Sequence, residues 1–425
     1  MATSSPPPGT ADIFPAEAQR WQQLERAAAE VFSRYGYGEL RTPIFEYTEV
    51  FQRGLGDDTE VVQKEMYTFL DRGGRSLTLR PEGTAGVMRA LLNTDVKNGV
   101  EQRVYYHGPM FRGERPAAGR RRQFHQIGVE NAGRCAPELD AECIAMLMHF
   151  LEELGITGAE LKINTRGVEA DRGPAGELLR EYFSANADAL CPDCSVRLRK
   201  NIWRILDCKQ TACRQIIDGA PDYLEKFTAE SRAYFDQVTA ALDALGTPYV
   251  IDRHLVRGLD YYVHTVFEIT HPGLGAQNAI AGGGRYELFL PGESKPIQGV
   301  GFAAGIERLL MVQDALGGAS VEPAAPPVFL VSLGESAKVE NLKLAGLLRR
   351  AGVNVALEFE AKSMKAQMRG ANRVGAEIAV IRGESELTDN TLIIKNMQSG
   401  EQRKISAADL PEMMKMFSRN GSTET

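Results

Sequence analysis

No run of about 18 apolar residues occurs anywhere in these 425 residues, so no membrane-spanning helix is expected. The first fifteen residues lack a basic stretch followed by an apolar one, so no secretory leader is expected, and the cytoplasm is the expected address. Cysteine is scarce, six residues unevenly spread, which excludes a disulfide scaffold. Histidine is as scarce, also six, with no H-E-x-x-H pair, which disfavours a metallohydrolase. No G-x-x-x-x-G-K-[ST] string is present, so a P-loop is excluded too. The net charge of −7 argues against a protein that coats nucleic acid non-specifically, although local basic patches remain open.

What is present suits a globular chain of two or three domains, with 43% apolar and 25% charged residues. Ala16 to Tyr35 has helical spacing of Trp21, Leu24, Ala28, Val31 and Phe32, and Gly36 with Gly38 stops it. Glu39 to Glu46 reads as a strand interrupted by Pro43. Gln102 to Arg112 and Gln123 to Glu130 read as a hairpin with a long basic loop, and Glu138 to Leu154 as an amphipathic helix. From about 168 to 247 the pattern turns mostly helical and reads as an insertion. Tyr249 to Ile269 and Ala279 to Leu290 return to strand. A linker at 321–327, within the Pro-rich stretch Gly317 to Pro327, separates a core over 1–320 from residues 328–425, where alternating strands and helices predict a small α/β domain with a largely parallel sheet.

The hairpin is the most informative segment. Alternation puts Arg122, Phe124, Gln126, Gly128 and Glu130 on one face of its second strand. From Arg112 to Arg122, five arginines stand against one glutamate, a composition suited to phosphates or a nucleic-acid end. Gly299-Val-Gly-Phe-Ala-Ala304 fits a dinucleotide-binding G-x-G-x-x-A, but Glu322, at the ribose-binding spacing, falls in the linker and not on a strand, so that reading is rejected.

Arg103-Val-Tyr-Tyr-His-Gly-Pro-Met-Phe-Arg112 with Arg122-Gln-Phe-His-Gln-Ile-Gly-Val-Glu130 resembles motif 2 of the class II aminoacyl-tRNA synthetases. Glu39 to Glu46 around Pro43 is similar to their motif 1, and Gly299 to Arg308 to motif 3. Leu255-Val-Arg-Gly-Leu-Asp-Tyr-Tyr262, Ala281-Gly-Gly-Gly-Arg-Tyr286 and Arg80-Pro-Glu-Gly-Thr84 narrow the resemblance to the histidyl-tRNA synthetase family. It runs from Gly9-Thr-Ala-Asp-Ile13 to Ile394-Lys-Asn-Met397.

The resemblance implies an α+β fold: an antiparallel-sheet catalytic core with flanking helices, a helical insertion and a C-terminal α/β anticodon-binding domain. It also implies L-histidine, ATP with Mg²⁺ and tRNA(His) as substrates, a homodimer formed through motif 1, and no membrane. By the same resemblance Arg257, Arg112 and Gln126 are catalytic. Histidine is read by Glu82, Gly83, Thr84, Gln126, Glu130, Arg257, Tyr261 and Tyr262, with Arg112 on its carboxylate. ATP is held by Arg112, Glu114, Arg120, Phe124 and Arg308. Chemistry agrees with these roles. Attack on a phosphate needs cations where negative charge builds, and a side chain that is hydrogen-bonded on both ring nitrogens can be selected without editing. Tyr261 is pocket wall or core packing. The alternative is a non-enzymatic relative, a regulatory subunit of histidine biosynthesis, which generally lacks the C-terminal domain and parts of the catalytic set.

Two features stay open. Cys191, Cys194, Cys208 and Cys213 form C-x₂-C-x₁₃-C-x₄-C, compatible with structural zinc or with plain core packing. Between Lys338 and Arg382, nine Lys/Arg stand against four Asp/Glu, and Lys362, Lys365, Arg369 and Arg373 fall near one helix face. Such a stripe suits either a solvated surface or an RNA stem and loop.

Overall fold

The computed structural model describes residues 4–56, 59, 61–257, 259, 261–275, 277–318 and 326–410. Residues 321–325 of the expected linker, Gly258 and Asp260 of the 255–262 string, and 411–425 of the C-terminal domain lie outside the described residues. The chain divides into two compact units, Met1–Ser320 and Val321–Thr425.

The first unit opens with α1 (Pro15–Arg34), whose Trp21, Leu24, Ala28, Val31 and Phe32 are buried. Proline at its start is preset for a helix, and Gly36 at φ +82° ends it. The expected strand across Pro43 is instead two short strands, β1 (Gly38–Glu39) and β2 (Phe45–Tyr47), which belong to different sheets. A proline donates no ladder hydrogen bond, so the chain changes sheet there. After α2 (Thr48–Leu55), β3 (Thr68–Leu70) and β4 (Ser76–Leu79) join β2 in a three-stranded sheet ordered β2-β4-β3. Then come α3 (Thr84–Leu91), the hairpin β5 (Gln102–Phe111) and β6 (Gln123–Ala132), α4 (Pro137–Glu153) and β7 (Glu160–Thr165).

Helices α5 (Glu169–Ala185), α6 (Pro192–Lys200), α7 (Thr211–Ile217) and α8 (Ala229–Ala244) fill the expected insertion. Ala175, Leu179, Phe183, Ile205, Cys213, Ile217, Tyr223 and Phe227 form a core of their own. Phe235, Val238 and Leu242 of α8 pack instead into the main core with α1 and α4. The segment with a private core is thus shorter than the helical stretch. Next are β8 (Val250–Ile251), β9 (Tyr262–Thr270), β10 (Ala279–Leu288), β11 (Ile297–Gly305) and α9 (Ile306–Ala315). The stretch from Tyr249 to Ile269, expected to be strand-like, forms two strands, β8 and β9, with a loop between them.

The main sheet has eight strands in the order β1-β5-β6-β11-β10-β9-β7-β8. Its interior pairs are antiparallel, and only β1 on β5 and β8 on β7 are parallel. The second unit carries β12 (Val328–Ser332), α10 (Glu335–Arg350), β13 (Val355–Leu357), α11 (Met364–Arg373), β14 (Ile378–Arg382), α12 (Glu384–Asp389), β15 (Thr391–Asn396) and β16 (Gln402–Ser406). Strands β13, β12 and β14 are parallel, as alternation predicts, while β15 and β16 add an antiparallel edge. No helix of the described residues is long and apolar enough to cross a membrane.

Candidate active site

The pocket sits on one face of β6, where the two-residue period aligns Gln126 with Glu130. Neighbouring β11 and β10 supply glycines where bulk cannot fit. A Cβ on Gly301 would lie 2.1 Å from a Glu130 oxygen, and one on Gly282 would lie 2.6 Å from the Arg257 guanidinium. At the start of α3, Gly83 faces the Tyr106 ring, 2.2 Å from where its Cβ would stand. These positions need glycine for close approach.

Eight of the residues expected from sequence line this single pocket: Glu82, Thr84, Arg112, Gln126, Glu130, Arg257, Tyr261 and Tyr262. Its acidic end is intramolecularly prepared. Glu82 accepts the backbone N–H groups of Thr84 (2.7 Å) and Ala85 (2.8 Å) at the first turn of α3. Glu130 accepts from the Thr84 hydroxyl (2.7 Å) and from the Tyr286 hydroxyl (2.8 Å). Burial pushes the Glu130 carboxyl up to about 8, against those two hydrogen bonds and with help from the Glu82 charge. Burial also raises Glu82, opposed by its backbone donors. Gln126 Oε1 is buried without a hydrogen-bond partner among the described residues, an arrangement that costs free energy until a donor arrives.

Two guanidiniums line the same pocket. Arg112 donates to the Pro81 carbonyl (2.9 Å), and its guanidinium lies 5.3 Å from the centre of the Phe124 ring. Arg257, in the loop before β9, pairs with Glu268 at 2.7 Å. An orphan amide oxygen, buried carboxylates and two guanidiniums lining one pocket match a small zwitterion with a further proton-bearing group.

Glu114, Arg120, Phe124 and Arg308 do not line that pocket; they gather beside it around the hairpin loop. Arg308 donates to the carbonyls of Gly119 (3.0 Å) and Ala279. Arg120 pairs with Glu114 at 3.6 Å and reaches Gln277 at 2.9 Å. Glu307 accepts the His125 backbone N–H at 2.9 Å, which seats the first turn of α9 on β6 and aims Arg308. A larger cavity of about 500 Å³ lies beside β7 and β8, lined by Lys162, Asp218, Asp222 and Asp252 among others, but none of the motif residues reaches it.

Sequence reasoning gave no role to Tyr286, Tyr106 or Glu268. Tyr286 holds Glu130, Tyr106 fills the pocket floor, and Glu268 holds Arg257. The string Ala281 to Tyr286 contained the only signal for Tyr286; Glu268 gave none, because its partner Arg257 lies in a loop outside the strand ladder and is brought to it only by the tertiary fold.

In the insertion, the four sulfurs of Cys191, Cys194, Cys208 and Cys213 lie within 4.8 Å of one another, with Cys191 to Cys208 at 3.9 Å. A tetrahedral site with metal–sulfur bonds of about 2.3 Å needs sulfurs about 3.8 Å apart. The backbone N–H of Cys191 points at the Cys213 sulfur (3.2 Å) and that of Cys194 at the Cys191 sulfur (3.4 Å); the second contact pulls the Cys191 thiol below its ordinary value, while burial raises Cys194 and Cys213. All six cysteines are free thiols. The four can therefore hold a metal ion.

In the second unit, Lys362 lies before α11 and pairs with Glu358 (2.7 Å) and Glu360 (3.1 Å), so it leaves the expected stripe. Lys365, Arg369 and Arg373 remain exposed on α11.

Residues 9–171 and 198–309 match the family profile described as histidyl-tRNA synthetase, and 327–416 match that of an anticodon-binding domain. A histidine–tRNA ligase of Halothermothrix orenii is 47% identical over 96% of this chain and 98% of its own length. One of Desulforudis audaxviator is 46% identical over 98% of this chain and 99% of its own. The crystal structure of apo Staphylococcus aureus histidyl-tRNA synthetase superposes with a TM-score of 0.80 at 37% identity, covering 97% of this chain and all of that one. A Bacillus halodurans chain described as an ATP phosphoribosyltransferase regulatory subunit/histidyl-tRNA synthetase, at 20% identity and TM-score 0.63, shares the fold.

Proposed function

This chain belongs to the histidyl-tRNA synthetase family and charges tRNA with histidine, and from that premise we propose how its residues divide the work. The observation that carries the proposal is the orphan Gln126 Oε1 in a pocket shared with Glu82, Thr84, Glu130, Arg112 and Arg257. The α-ammonium of histidine satisfies Gln126 with Glu82 and Thr84, while Glu130 and the Tyr262 hydroxyl take the two ring nitrogens. Gly83 leaves room for this at the start of α3, and Tyr261 walls the pocket. Arg112 aligns the histidine carboxylate with the α-phosphate, and Arg257 stabilises the charge that builds as the carboxylate oxygen bonds to phosphorus and pyrophosphate leaves. Phe124 and Arg308 flank adenine, Glu114 accepts its amino group, and Arg120 takes the outer phosphates. Mg²⁺ bound to ATP would supply further positive charge to the phosphates beside Arg112 and Arg120. The adenylate then passes histidine to the 3′ end of tRNA(His), and residues 328–425 hold the anticodon stem and loop.

A regulatory, non-catalytic reading fits poorly, because eight of the nine residues assigned to histidine line one pocket and residues 327–416 match an anticodon-binding domain. Histidine-dependent ATP–pyrophosphate exchange, tested across all twenty amino acids, decides between the two. Exchange with histidine alone is expected; exchange with none would hand the chain to the regulatory reading.

Two further assignments belong to this reading. The sheet β2-β4-β3 exposes Phe45, which falls in the segment that resembles motif 1, together with Tyr47, Phe69 and Leu70, and a second copy of the chain covers them in a homodimer. The four thiolates hold a structural zinc that fastens α6 to α7. About one zinc per chain is expected by elemental analysis, lost on Cys208→Ser together with insertion stability. Zinc-free protein, with unchanged stability in Cys208→Ser, would leave simple core packing as the explanation.

A further inference from the structure

Arg257 sits in the stretch between β8 and β9, where no ladder partner sets the backbone. That stretch is held from behind. Asn164 of β7, fully buried, directs its Nδ2 to the carbonyls of Leu255 (3.0 Å) and Arg253 (3.3 Å) and to the Tyr223 hydroxyl (2.8 Å). Tyr223 comes from the insertion, is 2% exposed, and donates its hydroxyl proton to the Arg253 carbonyl at 3.0 Å. Its ring is fixed edge-on to Trp203, with centroids 5.0 Å apart. The Asp252 N–H donates to the Ile163 carbonyl at 3.0 Å, which ties the start of the stretch to β7.

Side chains repeat the division. Leu255 packs into the core beneath the pocket, and Val256 packs against the private core of the insertion. At the far end Arg172 of α5 donates to the Tyr262 carbonyl. The backbone flanking Arg257 is thus anchored on both sides by groups from the insertion, while neither Asn164 nor Tyr223 lines the pocket.

We propose that Tyr223 and Asn164 are positioning residues for Arg257, so that the insertion is part of the catalytic geometry. A buried hydroxyl shared between Arg253 and Asn164 fixes the backbone four residues before the guanidinium. Displacement of a catalytic group by about 1 Å costs on the order of 10²-fold in rate. The proposal rests on the reading of Arg257 as the cation that stabilises the transition state.

The test is a double-mutant cycle on pre-steady-state adenylate formation with the full-length protein. Tyr223→Phe keeps the ring and removes the hydroxyl; it should slow the step about tenfold and move the histidine and ATP affinities by less than about twofold. Arg257→Lys should slow it by about 10²–10³-fold. The double variant should be within about twofold of Arg257→Lys alone, because a misplaced group that is already lost costs nothing more. Phe183→Leu, in the insertion core away from the hydroxyl network, should lower the melting temperature and leave the rate unchanged. If Tyr223→Phe melts too low to assay, Asn164→Ser carries the same comparison. A normal rate in Tyr223→Phe beside a slow Arg257→Lys would overturn the positioning role, and so would effects that multiply in the double variant. A normal rate in Arg257→Lys would instead overturn the reading of Arg257 itself, and that arm alone identifies it.

Discussion

Glu130 is a carboxyl shut away from water with a second carboxyl nearby, and its proton is retained to about pH 8. Its ordinary value is 4.5. Below that both folded and unfolded chains carry the proton; between the two values only the folded chain does. The unfolded state therefore binds fewer protons in this window, and stability falls as pH rises, levelling off above the folded value. Glu130→Gln should flatten that fall, measured as urea midpoints of the ligand-free protein at several pH values across the window. An unchanged slope would place the titration elsewhere, with Glu82 the next group raised by burial. Gln126 and Glu130 were legible because strand alternation places them on one face. The hydroxyl that holds Glu130, from Tyr286, was not: 156 residues separate the pair, and only the sheet brings them together.

Among the elements, β2, β3 and β4 form a small sheet whose outward aromatic residues have no covering layer within the described chain. Phe45 is 46% exposed and Leu70 is 70% exposed. Paired replacement, Phe45→Asp with Leu70→Glu, should give monomers in sedimentation while each chain stays folded, since exposed substitutions typically change stability by only about 0.5 kcal/mol. Dimers that persist would move the interface elsewhere. Regular helices such as α1 and α4 could be read from spacing alone. The β1/β2 break could not, because a proline marks an interruption without saying which sheet each side joins. The exit from β8 was hidden for a different reason: β-prone residues flank it at Tyr249 to Ile251 and Tyr261 to Ile269, while what shapes the stretch between them is tertiary contact with Asn164 and Tyr223. Strand β16 has an exposed face on almost every residue, so it carries no alternation to find.

At the scale of the whole molecule, each unit has its own hydrophobic core. A chain ending at Ser320 should retain histidine-dependent exchange to within about twofold, while charging at low tRNA concentration should drop at least about tenfold, as expected when a separate RNA-binding domain is removed. Equal loss of both activities would show that the second unit supports adenylate chemistry. In the full chain, replacing Lys365, Arg369 and Arg373 by glutamine should reduce the salt dependence of tRNA binding, because up to about three RNA phosphates would no longer be neutralised. A salt slope identical to that of the unmodified chain would place the RNA on another face of this domain.

The order of strands in the main sheet also constrains when this protein can become an enzyme during its own synthesis. Strand β6, bearing Gln126 and Glu130, takes β11 as its neighbour, pairing Ala132 with Gly299. Roughly 170 residues must be translated between those partners, about 10 to 30 seconds at ordinary elongation rates. Throughout that interval the β5/β6 hairpin has an open edge beside its future pocket, while the insertion can already close its local core. Within the first unit the insertion can therefore close before the pocket does, and it is in those seconds that an unpaired strand edge is most exposed to the wrong neighbour.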